Sequence, residues 1–209
     1  MLQSTRYKLI EFFTIFVVIP VSFTLSFSFW IKAVIAIIGF VYIIYVLLNI
    51  EKNKFKIAKD LKWKLFFKIT IIKLIVITML TIAFVYFFDK ENLFKVVINK
   101  PIMWLILLFV YSIFSVYPQE LIYRTFYFQR YESLFHNKKL FIFINAILFS
   151  LAHLFFKNTL VIILTFFGGL LFAFTYKKTK STLLVSIEHA IYGCWLFTVG
   201  MGEMLGFPS

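Results

Sequence analysis

Apolar residues in this chain run in unbroken blocks, without the alternation of a half-buried strand or the one-sided stripe of a soluble helix. The blocks cover residues 9–27, 31–50, 65–88, 101–117, 140–156, 160–176 and 183–201. Each is close to the roughly 20 residues with which a helix crosses about 30 Å of hydrocarbon, so the pattern predicts seven spans. Pro101 opens the fourth block, where a missing N–H costs nothing, whereas Pro118 is expected to break or kink the same helix. Residues 119–135 stay helical in character yet carry Glu120, Arg124, Arg130 and Glu132, too much polarity to face lipid. That segment either continues the fourth helix or forms an eighth, partly embedded one.

Between the second and third blocks, residues 51–64 interleave six lysines with Phe55, Ile57, Leu61 and Trp63. Such a segment suits a basic amphipathic helix lying on a cytoplasmic membrane surface. Arg6 and Lys8 ahead of the first block resemble the start of a signal peptide, but no small-residue cleavage site follows, and the run reads as an uncleaved anchor. Gly168 and Gly169 sit together in the sixth block, where small residues let a neighbouring helix come close.

Composition agrees with this pattern. Of 209 residues, 62% are apolar or aromatic and 22% aromatic, and the mean hydropathy is +0.95. A soluble domain runs near 45–50% apolar, so a water-soluble globule is excluded. Seven Gly, four Pro and no alternating ten-residue segments argue against an outer-membrane barrel. What remains is an all-α, polytopic helical bundle forming a single membrane domain over residues 1–209.

The net charge is +13, from 22 basic and nine acidic residues, and it sits between the hydrophobic blocks. In that place it meets anionic lipid and sets orientation, and no nucleic-acid partner is implied. With the amino terminus inside, Arg6, Lys8, the lysines from 52 to 68, Arg124, Arg130, Lys138, Lys139, Lys177, Lys178 and Lys180 fall on the inner side. Lys32, Lys90, Lys95, Lys100 and Lys157 remain outside. The expected setting is a multi-pass cell membrane protein, in a bacterial inner membrane, with a cytoplasmic amino terminus. A lone cysteine, Cys194, rules out an intrachain disulfide.

An ionisable side chain at mid-bilayer costs about 2.5–3.5 kcal/mol even on the lenient insertion scale, so each one in a span needs a partner or a purpose. Seven stand out: Glu11, Lys73, Glu120, Arg124, His153, Glu188 and His189. Glu11 lies near a block end and can reach the interface, and Lys73 can snorkel. Glu120 and Arg124 are four residues apart and share a helix face, where a guanidinium keeps a carboxylate ionised. Tyr123 and Tyr127 can add hydroxyls to that face. Glu188 leaves its helix on a different face from His189 and is expected to pair with Arg124 or another base.

A carboxylate and two imidazoles in a low-dielectric cavity suit hydrolysis, one group taking a proton from water while another stabilises the oxyanion. The same three could instead hold zinc with an open fourth position. They also admit a structural reading, as a buried Glu–Arg pair with two core histidines, and a proton-relay reading.

Three short motifs narrow the choice: Gln119-Glu120-Leu121-Ile122-Tyr123-Arg124, then Phe149-Ser150-Leu151-Ala152-His153, then His189-Ala190-Ile191-Tyr192-Gly193. In order and separation they resemble the CPBP intramembrane proteases, the CAAX prenyl endopeptidases and their bacteriocin-processing and abortive-infection homologues. That family carries Glu-Glu-x-x-x-Arg, Phe-x-x-x-His and His-x-x-x-Asn or Asp on successive membrane helices. The resemblance covers residues 101–201, a CPBP-like catalytic core.

It implies an intramembrane endopeptidase that cleaves a peptide bond of a membrane-associated peptide or protein substrate without a cofactor. Glu120, held by Arg124, and His153 would activate water, His189 would stabilise the tetrahedral intermediate, and Gln119 would position the water. Two positions depart from the family. Gln119 replaces the first glutamate and cannot accept a proton. Gly193 replaces the amide, unless a backbone N–H or Tyr192 substitutes for it. These departures leave open a catalytically weak or inactive member acting as a membrane binding or immunity protein.

Overall fold

The chain folds as a series of helices, seen in a computed structural model that describes residues 2–54 and 61–205. Among the described residues, eight helices organise it: α1 (residues 5–22), α2 (Phe29–Ile50), α3 (Trp63–Phe88), α4 (Lys95–Asn99), α5 (Pro101–Leu134), α6 (Lys138–Leu151), α7 (Thr159–Thr179) and α8 (Thr182–Val199). Among the described residues there is no strand.

Side-chain caps mark where several helices begin. Asn137 Oδ1 accepts from the N–H groups of Lys139 and Leu140, Asn158 Oδ1 from Leu160 and Val161, and Ser181 Oγ from Leu184. Each satisfies donors that the first helical turn leaves without intrahelical partners, at about 1 kcal/mol apiece. Lys157 and Gly200 turn the chain in the left-handed region after the Leu154–Phe156 turn and after α8.

Among the described residues, six helical stretches are long and apolar enough to cross a membrane: α2, α3, α5, α7, α8 and Lys138–Phe156, which extends α6. The block at residues 9–27 is helical as well, as α1, but Arg6, Lys8 and Glu11 make that helix more polar than the six. Residues 119–134 continue the fourth block and form no separate helix. Nor does the helix stop at Pro118. Wide π-helical turns at Tyr111–Val116 and Leu121–Phe126 flank it, and such turns are a common way for a helix to absorb a disrupted ladder. Of the segment 51–64, expected as a basic amphipathic helix, residues 55–60 lie outside the described residues.

Long rows of exposed apolar side chains, such as Ile37, Ile38 and Val41 on α2, Met79, Leu80 and Phe87 on α3, and Leu105, Ile106 and Phe109 on α5, have no protein covering them. Hydrocarbon is the solvent they fit, and the chain is a multi-pass membrane protein.

The fold has two compact units, Met1–Lys56 with Leu121–Lys180 and Ile57–Glu120 with Ser181–Ser209. In the first unit, Phe16 of α1 packs against the rings of Tyr123, Phe126, Tyr127 and Tyr131 at 5.4 to 6.3 Å. α6 and α7 lie close enough that a Cβ on Gly169 would stand 3.0 Å from the Ala146 Cα, so the expected close approach occurs at Gly169. Gly168 meets only the Phe172 ring of its own helix.

Glu11 does not reach for the interface. It is buried, accepting from Arg130 Nε at 2.7 Å and from the Tyr131 hydroxyl at 2.9 Å, with a short further bond from Tyr42. Arg130 also holds Glu51 at 2.8 Å. In lipid, where apolar burial between helices gains little, such bonds specify which faces meet.

The second unit joins α3, α4, the 101–120 part of α5, and α8. Trp195 Nε1 donates to Thr81 Oγ1 at 2.8 Å, and Trp104 Nε1 donates to Thr198 Oγ1 at 3.0 Å. Lys73 does not snorkel. Its ammonium lies 2.7 Å from Glu188 Oε1, and Glu188 is fully buried. An unpaired carboxylate there would carry the full cost of its desolvation.

Candidate functional site

Glu120 and His189 meet in the second unit. Glu120 ends the α-helical turn Tyr117–Glu120 within α5, and His189 sits near the middle of α8. Both are buried, and Glu120 Oε1 lies 2.8 Å from His189 Nδ1. On the far side of the ring, His189 Nε2 lies 3.1 Å from the Tyr111 hydroxyl. A carboxylate can only accept, so Nδ1 carries the hydrogen and Nε2 of the neutral ring accepts from the phenol. Carboxylate, imidazole and hydroxyl therefore form one hydrogen-bonded line.

Gln119, one residue earlier, turns to its own helix. Its Nε2 donates to Ser115 Oγ at 2.8 Å, while its Oε1 is buried with no hydrogen-bond partner among the described residues. Gly193 follows His189 by one helical turn. A Cβ there would collide with the hydroxyl and ring of Tyr111. Tyr192 does not substitute at this point, since its hydroxyl lies 3.0 Å from Glu188 Oε1 and 3.3 Å from the Thr70 carbonyl. Glu188, expected to pair with Arg124 or another base, is paired with Lys73 and does leave α8 away from His189.

Arg124 and His153 belong to the first unit. Arg124 is fully buried, its Nη1 donating to Asn145 Oδ1 at 2.7 Å and to the Tyr123 carbonyl at 3.2 Å. Asn145 Nδ2 also donates to that carbonyl, at 2.7 Å, and closes a small network. The guanidinium lies over the Phe149 ring, 4.8 Å from its centroid, which suits a cation facing a π-cloud. The hydroxyl of Tyr127, offered above as a donor beside Glu120, goes to the Phe141 carbonyl at 2.9 Å.

His153 is placed past the end of α6, at the bend into the Leu154–Phe156 turn. Its Nδ1 is 2.7 Å from the Phe149 carbonyl. A carbonyl only accepts, so Nδ1 carries the hydrogen and Nε2 holds the ring's lone pair, the state a general base needs. The Phe-x-x-x-His spacing thus has a local cause. Phe149 fixes the tautomer through its backbone and supports Arg124 through its ring.

Tyr111, Asn145 and the Lys73–Glu188 pair escaped the sequence reading. Asn145 is a polar residue inside a block, and counting uncharged amides with the charged groups would have marked it. Lys73 and Glu188 are 115 residues apart, and their pairing has no local signal. Among the described residues, no group of three or more His, Cys, Asp or Glu is gathered as a metal site would require.

No curated protein and no solved structure matches the chain. A family model does: residues 101–195 match that of the type II CAAX prenyl endopeptidases, described as Rce1-like. The match takes in the second half of the chain from the start of α5 to Trp195, with all three polar motifs up to Tyr192. Over this segment the chain is similar to the Rce1-like membrane endopeptidases.

Proposed function

We propose that the chain is an intramembrane endopeptidase that hydrolyses a peptide bond in a membrane-associated peptide or protein, with Glu120, Arg124, His153, His189 and Gln119 carrying the reaction. The observation behind this reading is the buried 2.8 Å bond between Glu120 and His189, two groups expensive to bury and typical of acid–base machinery.

His153, with Nδ1 committed to the Phe149 carbonyl, offers Nε2 to take the proton of an attacking water. Glu120 assists through its negative charge. The resulting hydroxide adds to the scissile carbonyl, and His189 stabilises the oxyanion. Collapse of the tetrahedral intermediate breaks the C–N bond, and the amine leaves with the proton that His153 held. Gln119 fits a water-positioning role, because its buried Oε1 is an acceptor awaiting a donor. Arg124, fixed by Asn145 and Phe149, holds a permanent positive charge four residues from Glu120.

The lysine distribution supports a cytoplasmic amino terminus, and the setting proposed is a bacterial inner membrane. No cofactor enters this chemistry.

Cleavage of a membrane-tethered peptide reporter by the purified protein in proteoliposomes tests the reading. The wild type should turn over, His153→Ala and Glu120→Gln should lose about 10²–10⁴-fold in kcat, and a metal chelator should leave the rate unchanged. A wild type that binds the reporter without cutting it would favour the binding-protein alternative. A fully active His153→Ala would remove the assignment of the base.

A further inference from the structure

The third motif breaks at Gly193, and the space that a side chain there would fill is already taken. A Cβ at this position would run into the ring and hydroxyl of Tyr111. The same hydroxyl is the group 3.1 Å from His189 Nε2. Residue 193 lies one turn after His189 on α8, so a side chain on it would project along the helix face that His189 uses. Tyr111 reaches that place from α5, its ring edge-on to Phe197 with centroids 5.0 Å apart and edge-on to His189 at 6.1 Å.

We infer that Tyr111 and Gly193 are the two halves of one exchange, in which a phenol from α5 replaces the polar side chain of the third motif and makes Tyr111 the positioning residue of His189. The inference rests on the endopeptidase reading for its consequence, not for its geometry. With Glu120 on Nδ1 and Tyr111 on Nε2, the imidazole is held at both ends and its tautomer is set. Gly193 is the residue that admits this arrangement, since neither alanine nor asparagine fits beside the ring. Packing alone would be served equally by phenylalanine, so the hydroxyl separates a positioning role from simple space filling.

The test uses the full-length protein in nanodiscs, with ¹⁵N-labelled histidine and the reporter assay on the same preparations. The chain has three histidines, so His189 can be assigned by a His189→Gln control. Tyr111→Phe keeps the ring against Phe197 and removes only the hydroxyl. It should shift the His189 Nε2 resonance and lower kcat by about tenfold or more with little change in KM, because an interaction made through the catalytic group has been lost. An unmoved His189 signal overturns the inference. Gly193→Asn should be damaging alone, and the double change Tyr111→Ala with Gly193→Asn should recover thermal stability and turnover relative to Gly193→Asn. A double variant no better than Gly193→Asn also overturns it. Should the wild type fail to cleave, the endopeptidase reading falls, while the His189 resonance and the stability coupling between positions 111 and 193 still decide this one.

Discussion

Gln119 differs from a glutamate by one amide, and its surroundings show what that amide does. Its Nε2 is satisfied by Ser115 one turn back, while Oε1 stays buried without a partner among the described residues. A carboxylate placed there could accept from the Ser115 hydroxyl and also take a proton, which the amide cannot. Gln119→Glu is therefore expected to raise reporter turnover by about tenfold or more, and Gln119→Ala to lower it. Matched kcat values for wild type and Gln119→Glu would show that position 119 takes no part in proton transfer. The same scale explains Phe149, whose carbonyl sets the His153 tautomer while its ring faces the Arg124 guanidinium. Phe149→Leu keeps the carbonyl and removes the ring, so it should lower reporter turnover through Arg124 and through His153, whose ring lies 5.0 Å from that of Phe149.

Three helices in this protein begin at side-chain caps, at Asn137, Asn158 and Ser181. α6 and α7 approach at Gly169, where the backbone of Ala146 leaves almost no room for a Cβ. Gly169→Leu should force the pair apart and destabilise the protein by about 1–3 kcal/mol, seen as an earlier thermal transition in detergent. Gly168→Ala, which meets only a ring of its own helix, should be nearly silent. An equal response at both positions would mean that the α6–α7 contact does not depend on Gly169. α5 shows where element-level prediction stops. Pro118 signals a break, yet the helix continues with π-helical turns on either side. Whether a helix ends at a proline or widens around it depends on what covers the freed carbonyls, which local sequence does not record.

For the whole molecule, the buried ion pairs matter most. Lys73 with Glu188 and Arg130 with Glu11 each join segments more than a hundred residues apart in sequence, and each keeps a carboxylate off hydrocarbon. Removing Lys73 leaves the buried Glu188 carboxylate without its ammonium, with the Tyr192 hydroxyl still beside it. Lys73→Met is thus expected to cost about 3–5 kcal/mol, with Lys73→Met and Glu188→Gln together costing less than Lys73→Met alone. Additive losses in that cycle would show that the pair is not coupled. Neither change touches Glu120 or His189, so the reporter rate per folded molecule should change little.

Blocks of apolar residues of spanning length determine an all-helical membrane protein almost unaided, because the bilayer demands uninterrupted runs and internally satisfied backbones. Motif order and spacing likewise pointed to Glu120, Arg124, His153 and His189, since each lies in or beside a span where an ionisable group is costly. Partner choice could not be read in this way. That Glu120 binds His189, that Lys73 answers Glu188, that Glu11 is buried rather than interfacial, and that Tyr111 fills the space beside Gly193 were decided only by the fold. The cause is geometric. Helices present side chains in all directions with no mark in the sequence of which face meets which, so the cost of a buried group is visible residue by residue while its compensation appears only when distant helices pack.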